Sequence, residues 1–186
     1  MPRRAAASAA CWRVICSGSC LTASISSRLV HLQTPTAEAT EELGGRLARL
    51  RPGPDALTVL YLEGELGAGK TTFARGFLNA TGVAGAVRSP TYTLLELHEL
   101  GGLTLMHVDL YRLRDAAELE SLGLRDWARP GCLWLIEWPE RGEQRLPPPD
   151  LTLTFTVGAP AHDIEVLARS PRGEAWLARL ASQVRR

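Results

Sequence analysis

The chain has 186 residues, 45% of them hydrophobic and 22% charged, which argues for one domain with at most an appendage and against a largely disordered chain. No apolar run approaches the roughly 18 residues that a membrane span needs. The formal net charge of +1 hides an asymmetry: residues 1–37 hold four arginines and no acid, whereas the remainder sets 17 basic residues against 20 acidic ones. A body with an acidic excess is poorly suited to grip a nucleic-acid backbone, so any contact with RNA is expected to run through a partner.

Three of the four cysteines, Cys11, Cys16 and Cys20, fall in the first 20 residues, which disfavours a disulfide-stapled fold; no histidine follows closely enough to complete a metal clip. Residues 1–33, rich in Ala, Ser and Arg, read as a poorly ordered extension, with a start codon placed too far upstream or a targeting segment as the other readings. Residues 34–186 then form the domain. Thr34 or Thr36 can cap a helix whose apolar positions Ala39, Leu43, Leu47 and Leu50 recur at helical spacing, and Pro52, Gly53 and Pro54 stop it. LTVLYLE, residues 57–63, reads as a buried strand, followed by a glycine-rich turn and a helix from Thr72 to about Asn79.

Beyond Gly82 and Gly85 lies the loop segment VRSPTYT, and then LLELHEL and LTLMHVD, separated by Gly101-Gly102 as in a β-hairpin. Asp115 can cap a short helix ended by Gly123, with another turn at RDWAR. CLWLIE is a second buried strand, LTLTFTV and HDIEVLA a strand pair, and EAWLARLASQV a terminal helix. Interleaved helices and strands predict an α/β domain: a central, mainly parallel sheet carrying an antiparallel hairpin, with helices on both faces.

Gly64 to Thr71, GELGAGKT, matches G-x-x-x-x-G-K-[ST] directly between a strand and a helix, the context this motif requires. Gly67 and Gly69 let the backbone curl so that successive N–H groups form a nest for phosphate oxygens at a helix N-terminus. The Lys70 ammonium would bridge β- and γ-phosphates, and the Thr71 hydroxyl would ligate Mg²⁺. Among 21 basic residues Lys70 is the single lysine, so a bias that replaced lysine everywhere else spared this position. A site enclosing one compact ammonium cannot take the broad guanidinium fork.

Phosphoryl transfer also needs a second contact to magnesium and a group that orients the attacking oxygen, both supplied in open α/β sheets from the carboxyl ends of strands. Asp109 and Glu137 each end a strand and are the candidates. His107 shares a strand face with Asp109 but reads as a packed core residue. Trp138, beside Glu137, is a candidate to line a nucleotide or partner surface. The only Asn is Asn79 and the only Lys is Lys70, so an Asn-Lys-x-Asp guanine reader is missing and ATP is the expected nucleotide.

With these residues placed, about residues 33 to 180 resemble the bacterial TsaE family through GELGAGKTTFARGFL, SPTYTLLE, HVDLYRL, ELESLG and LIEWPER, in that order. The resemblance implies a cytoplasmic Mg²⁺-dependent ATPase that works with the TsaB and TsaD proteins, which install the threonylcarbamoyl group on the adenosine beside the anticodon. Contact with tRNA comes only through that complex, and no membrane is involved. It further implies nucleotide contacts from Gly67, Ala68, Gly69, Lys70, Thr71, Thr72 and Trp138, and Mg²⁺ contacts from Thr71 and Glu137. Asp109 becomes the acid near the attacking water, and Ser89, Pro90, Thr91, Tyr92 and Thr93 a switch-like loop facing TsaD. A P-loop small-molecule kinase and a nucleotide-binding adaptor that never hydrolyses ATP are the alternatives from other classes.

Overall fold

Nine strands form a single sheet in the order β1-β2-β3-β9-β8-β4-β7-β6-β5 in a computed structural model that describes residues 11–16, 19–26, 28–83, 89–90 and 93–184. In chain order the strands are β1 (Cys11–Cys16), β2 (Ser19–Ile25), β3 (Leu29–Thr34), β4 (Thr58–Gly64), β5 (Leu95–Leu100), β6 (Leu103–Asp109), β7 (Cys132–Glu137), β8 (Leu151–Thr156) and β9 (His162–Ala168). The helices are α1 (Ala37–Arg49), α2 (Lys70–Thr81), the one-turn α3 (Glu118–Ser121) and α4 (Pro171–Val184), with 3₁₀ turns at Leu124–Trp127 and Pro139–Arg145. The centre, β8-β4-β7-β6, is parallel throughout; the strands outside it pair antiparallel.

All six residues of β7 are buried, as a strand must be when parallel neighbours flank it and both its faces are covered. One face, with Leu60, Leu62, Leu133 and Leu135, packs on α1, α2 and α4 through Leu43, Leu47, Phe73, Phe77 and Trp176. The opposite face, with Val59, Met106, Val108, Trp134 and Ile136, is covered by short elements carrying Leu110, Leu113, Leu119, Leu124 and Leu146. Helical cover thus lies on both faces, but all three long helices share one of them. The hairpin forms as expected: Gly101 and Gly102 take φ of 54° and 99°, the paired positive values of a tight turn matched to strand twist.

The expected domain start at residue 34 needs correction. Leu29–Thr34 is a strand paired antiparallel with β9, and Val30 and Leu32 are fully buried while His31 and Gln33 face outward. This alternation lies in the sequence, but the Ala/Ser/Arg bias of the preceding stretch masks it. Two further strands, β1 and β2, continue the sheet beyond β3. At the start of α1, Thr36 and not Thr34 is the cap, its Oγ1 accepting from the Ala39 N–H at 3.2 Å. Thr34 instead accepts a hydrogen bond from the Thr40 hydroxyl inside the core.

α1 and α2 cross where both chains carry glycine. A Cβ on Gly76 would sit 1.9 Å from the Glu41 carbonyl oxygen, and one on Gly44 would sit 2.2 Å from that of Phe73. Backbone meets backbone there, and neither helix can yield without moving as a whole. On an exposed helix, Gly→Ala would gain about 1 kcal/mol of propensity. Here the sign reverses: Gly76→Ala is expected to lower the unfolding free energy by about 1–3 kcal/mol, the range for overpacking, as read from chemical denaturation.

Candidate functional site

The turn between β4 and α2 leaves an electrostatic demand that the helix's own first turn does not meet. α2 begins after Gly69, held at φ 102°, and its N-terminus has no side-chain cap and no acid in its first turn. The partial positive charge of that terminus normally attracts a carboxylate or a capping oxygen. Instead the first helical residue is Lys70, a cation, so like charges are placed together. A local frustration of this kind is relieved by an anion from outside the fold.

Lys70 is 4% exposed. Its ammonium donates to the carbonyl oxygens of Gly64 at 2.6 Å and Glu65 at 2.8 Å and lies 3.8 Å from the centre of the Trp138 ring. Burial lowers its pKa below the usual lysine range, and Glu137, Glu140 and Asp109 oppose that shift. Two neutral carbonyls and a ring face are modest partners for a buried ammonium; an anionic oxygen is a stronger acceptor.

The acids arrive by register. Leu62, Glu137 and Asp109 lie in one row across β4, β7 and β6, so the two carboxylates end adjacent parallel strands beside the turn. Glu137 is 1% exposed, and its Oε2 accepts from the Thr71 hydroxyl at 2.8 Å. Asp109, also buried, accepts the Tyr111 N–H at 3.0 Å and the Ser89 hydroxyl. Thr71 and Glu137 offer hard oxygen donors of the kind that suit Mg²⁺ rather than a softer metal. Trp138 sits at φ 59°, an uncommon conformation for so bulky a residue, and its N–H donates to Leu62 O at 3.1 Å. That turn aims the ring into the site, where it packs at a tilt of 46° against Tyr111 with centroids 5.0 Å apart.

These groups converge on a cavity of about 280 Å³ lined by Gly67, Gly69, Lys70, Thr71, Thr72, Ser89, Asp109, Glu137 and Trp138. Ala68 is buried behind the turn. Of the segment read as a switch, Ser89 reaches Asp109, Pro90 is buried with its carbonyl accepting the Leu94 N–H at 2.7 Å, and Thr93 is exposed; Thr91 and Tyr92 lie outside the described residues. Two residues that sequence reasoning passed over belong to the site. Tyr111 lines the cavity, with no sequence signal of its own. His107, read as core packing, is fully buried but places Nε2 2.9 Å from Glu137 Oε1. Its signal was there: it shares a strand face with Asp109, one strand away from Glu137.

The parallel centre, the strand–turn–helix motif and the acids at strand ends define a P-loop α/β protein. A family model described as "Threonylcarbamoyl adenosine biosynthesis protein TsaE" matches residues 34–163. The tRNA threonylcarbamoyladenosine biosynthesis protein TsaE of Haemophilus influenzae is 44% identical over 116 residues, which is 62% of this chain and 73% of that one. The protein of the same name from Streptomyces coelicolor is 40% identical over 140 residues, 73% of this chain and 92% of that one. The crystal structure of YdiB from Bacillus subtilis superposes with a TM-score of 0.67 at 29% identity, covering 84% of this chain and 96% of that chain. The chain belongs to the TsaE family, a tRNA-modification family with a nucleotide-binding fold. Among the described residues no helix is long and apolar enough to cross a membrane, and no group of three or more His, Cys, Asp or Glu is placed to hold a metal ion.

The acidic side of the turn yields a pH-dependent expectation. Burial and then the nearby Glu140 push the Glu63 carboxyl above the usual carboxylate range, against Arg169 and a hydrogen bond with Thr154. A carboxyl whose pKa is higher in the folded chain favours folding while protonated, and that contribution is lost as pH rises through the folded value. Glu63→Gln is therefore expected to raise Tm at neutral pH and to leave it unchanged at a pH below the ordinary carboxylate range, as followed by thermal melts across pH.

Proposed function

We propose that this chain is a Mg²⁺-dependent ATPase, slow on its own, that supports a TsaB–TsaD complex in forming threonylcarbamoyladenosine beside the anticodon of tRNAs. Its nucleotide state governs docking onto that complex, it works in the cytoplasm, and tRNA is reached only through the partners. The observation that carries this reading is the convergence on one cavity of an uncapped helix N-terminus, the chain's single lysine and two buried carboxylates.

The first-turn amides of α2 and the backbone at Gly67 and Gly69 bind the phosphate tail, and Ala68 and Thr72 extend that contact. Lys70 exchanges two carbonyl acceptors for charged phosphate oxygens, a stronger pairing for a buried ammonium. Thr71 and Glu137 hold Mg²⁺, which when bound neutralises charge on the phosphates. Asp109, at the end of β6, accepts a hydrogen bond from the attacking water and so orients it. Trp138, whose ring lies over Lys70, lines the nucleotide cavity. The acidic excess of the body agrees with RNA contact by partners.

Phosphate release from ATP, followed with Mg²⁺, with and without TsaB and TsaD, tests the reading. Turnover is expected to be slow alone and stimulated by the two proteins together. Lys70→Ala and Glu137→Gln are each expected to reduce it by about 10²–10³-fold while far-UV circular dichroism stays unchanged. Equal turnover in Lys70→Ala, or stimulation by a small acceptor molecule and not by the proteins, would overturn it. The second of these outcomes points to a kinase, and binding without any phosphate release points to an adaptor.

A further inference from the structure

Glu137 is useful as a metal contact only if its carboxylate is held in one orientation. Its two oxygens have different partners: Oε2 accepts from Thr71 and Oε1 faces Nε2 of His107, at 2.8 and 2.9 Å. His107 is 0% exposed and Glu137 1%, so no solvent stands in for either contact. The other ring nitrogen, Nδ1, is buried with no hydrogen-bond partner among the described residues.

This geometry suits one tautomer. A carboxylate oxygen set to bind a cation accepts, and the matching imidazole carries its hydrogen on Nε2. With the hydrogen on Nδ1 instead, two acceptors would face each other at 2.9 Å and a buried N–H would go unpaired, two penalties at once. A histidine serving only as core filling has no need to aim Nε2 at a buried carboxylate.

We infer that His107 is a positioning residue for divalent-cation binding: its Nε2–H pins Glu137 Oε1, leaving Oε2 and the Thr71 hydroxyl, 2.8 Å apart, as the oxygen pair offered to a hard cation. The inference rests on the functional reading above and deepens it by adding a residue behind the ligands. Loss of a group that orients a ligating side chain from behind typically costs about 10–100-fold in metal affinity.

Three full-chain variants test it through Mg²⁺-dependent binding of a fluorescent ATP analogue, with no turnover measured. The amide of Gln reproduces the position of Nε2, that of Asn reproduces Nδ1, and Leu supplies neither. His107→Leu and His107→Asn are expected to raise the Mg²⁺ concentration needed for tight nucleotide binding by about 10-fold or more, with His107→Gln recovering most of the loss. Nucleotide affinity without metal should be the same in all four proteins. If the Leu variant does not fold, the Asn and Gln pair decides, since both are polar amides differing in reach. Equal effects of Asn and Gln, or a wild-type Mg²⁺ response in the Asn variant, would overturn the inference while leaving the functional reading in place. A wild-type chain whose nucleotide binding ignores Mg²⁺ would remove that reading, and this inference with it. Independently of any metal, long-range ¹H–¹⁵N correlation spectra of the wild-type chain should show His107 protonated at Nε2; an Nδ1–H tautomer would also overturn the inference.

Discussion

The site is organised by a helix that begins without a cap. Every other part of it answers the positive end of α2: the glycines that let the backbone turn, the lysine buried against its own loop, and the acids on the neighbouring strands. A soluble protein normally closes such an end with Ser, Thr, Asp or Asn, as Thr36 does for α1 in this same chain. The contrast between the two helices, one capped and the other left open beside a cation, separates an element that completes a fold from one that awaits a ligand.

The sheet supplies what the turn cannot. Because β7 lies between β4 and β6 and runs parallel to both, the carboxyl ends of three strands meet at the mouth of the turn, and their register places Leu62, Glu137 and Asp109 in one row. The backbone seals this row. Leu110 N–H donates to Glu137 O and Trp138 N–H to Leu62 O, so each strand end is tied to its neighbour immediately beyond the acids. Trp138 leaves the sheet in a left-handed conformation that costs about 1–2 kcal/mol for an L-residue. The packed, six-residue buried strand before it supplies the rigidity that holds that turn.

Much of this arrangement was legible before any coordinates, and the reasons differ from part to part. The turn was plain because its chemistry is local: glycines, lysine and threonine at fixed spacing between two periodic segments. Asp109 and Glu137 could be named because strand ends in open α/β sheets are where ligands bind. Strand β3 is hidden in the sequence because the Ala, Ser and Arg bias of residues 1–33 obscures the period-two pattern of Val30, Leu32 and Thr34. His107 was set aside for a different reason. Its meaning depends on which strand lies next to β6, and hairpin and loop signals do not reveal that β7 inserts between β4 and β6. Non-local pairing is the information a single sequence carries least visibly.

Asp109 joins the chemistry of the cavity to the surface. Its carboxylate accepts from Ser89 and from Tyr111, and its N–H donates to Leu94 O at 3.0 Å, so Ser89, Leu94 and Tyr111 are all tied to one strand end. Leu94 turns with φ 62°, and its N–H donates to Pro90 O. A ligand shifts such an arrangement only by as much as it binds one state better than another. On the proposed reading, the attacking water and the Ser89 hydroxyl share the Asp109 carboxylate as their acceptor, so the chemistry and the anchoring of Ser89 meet at one group.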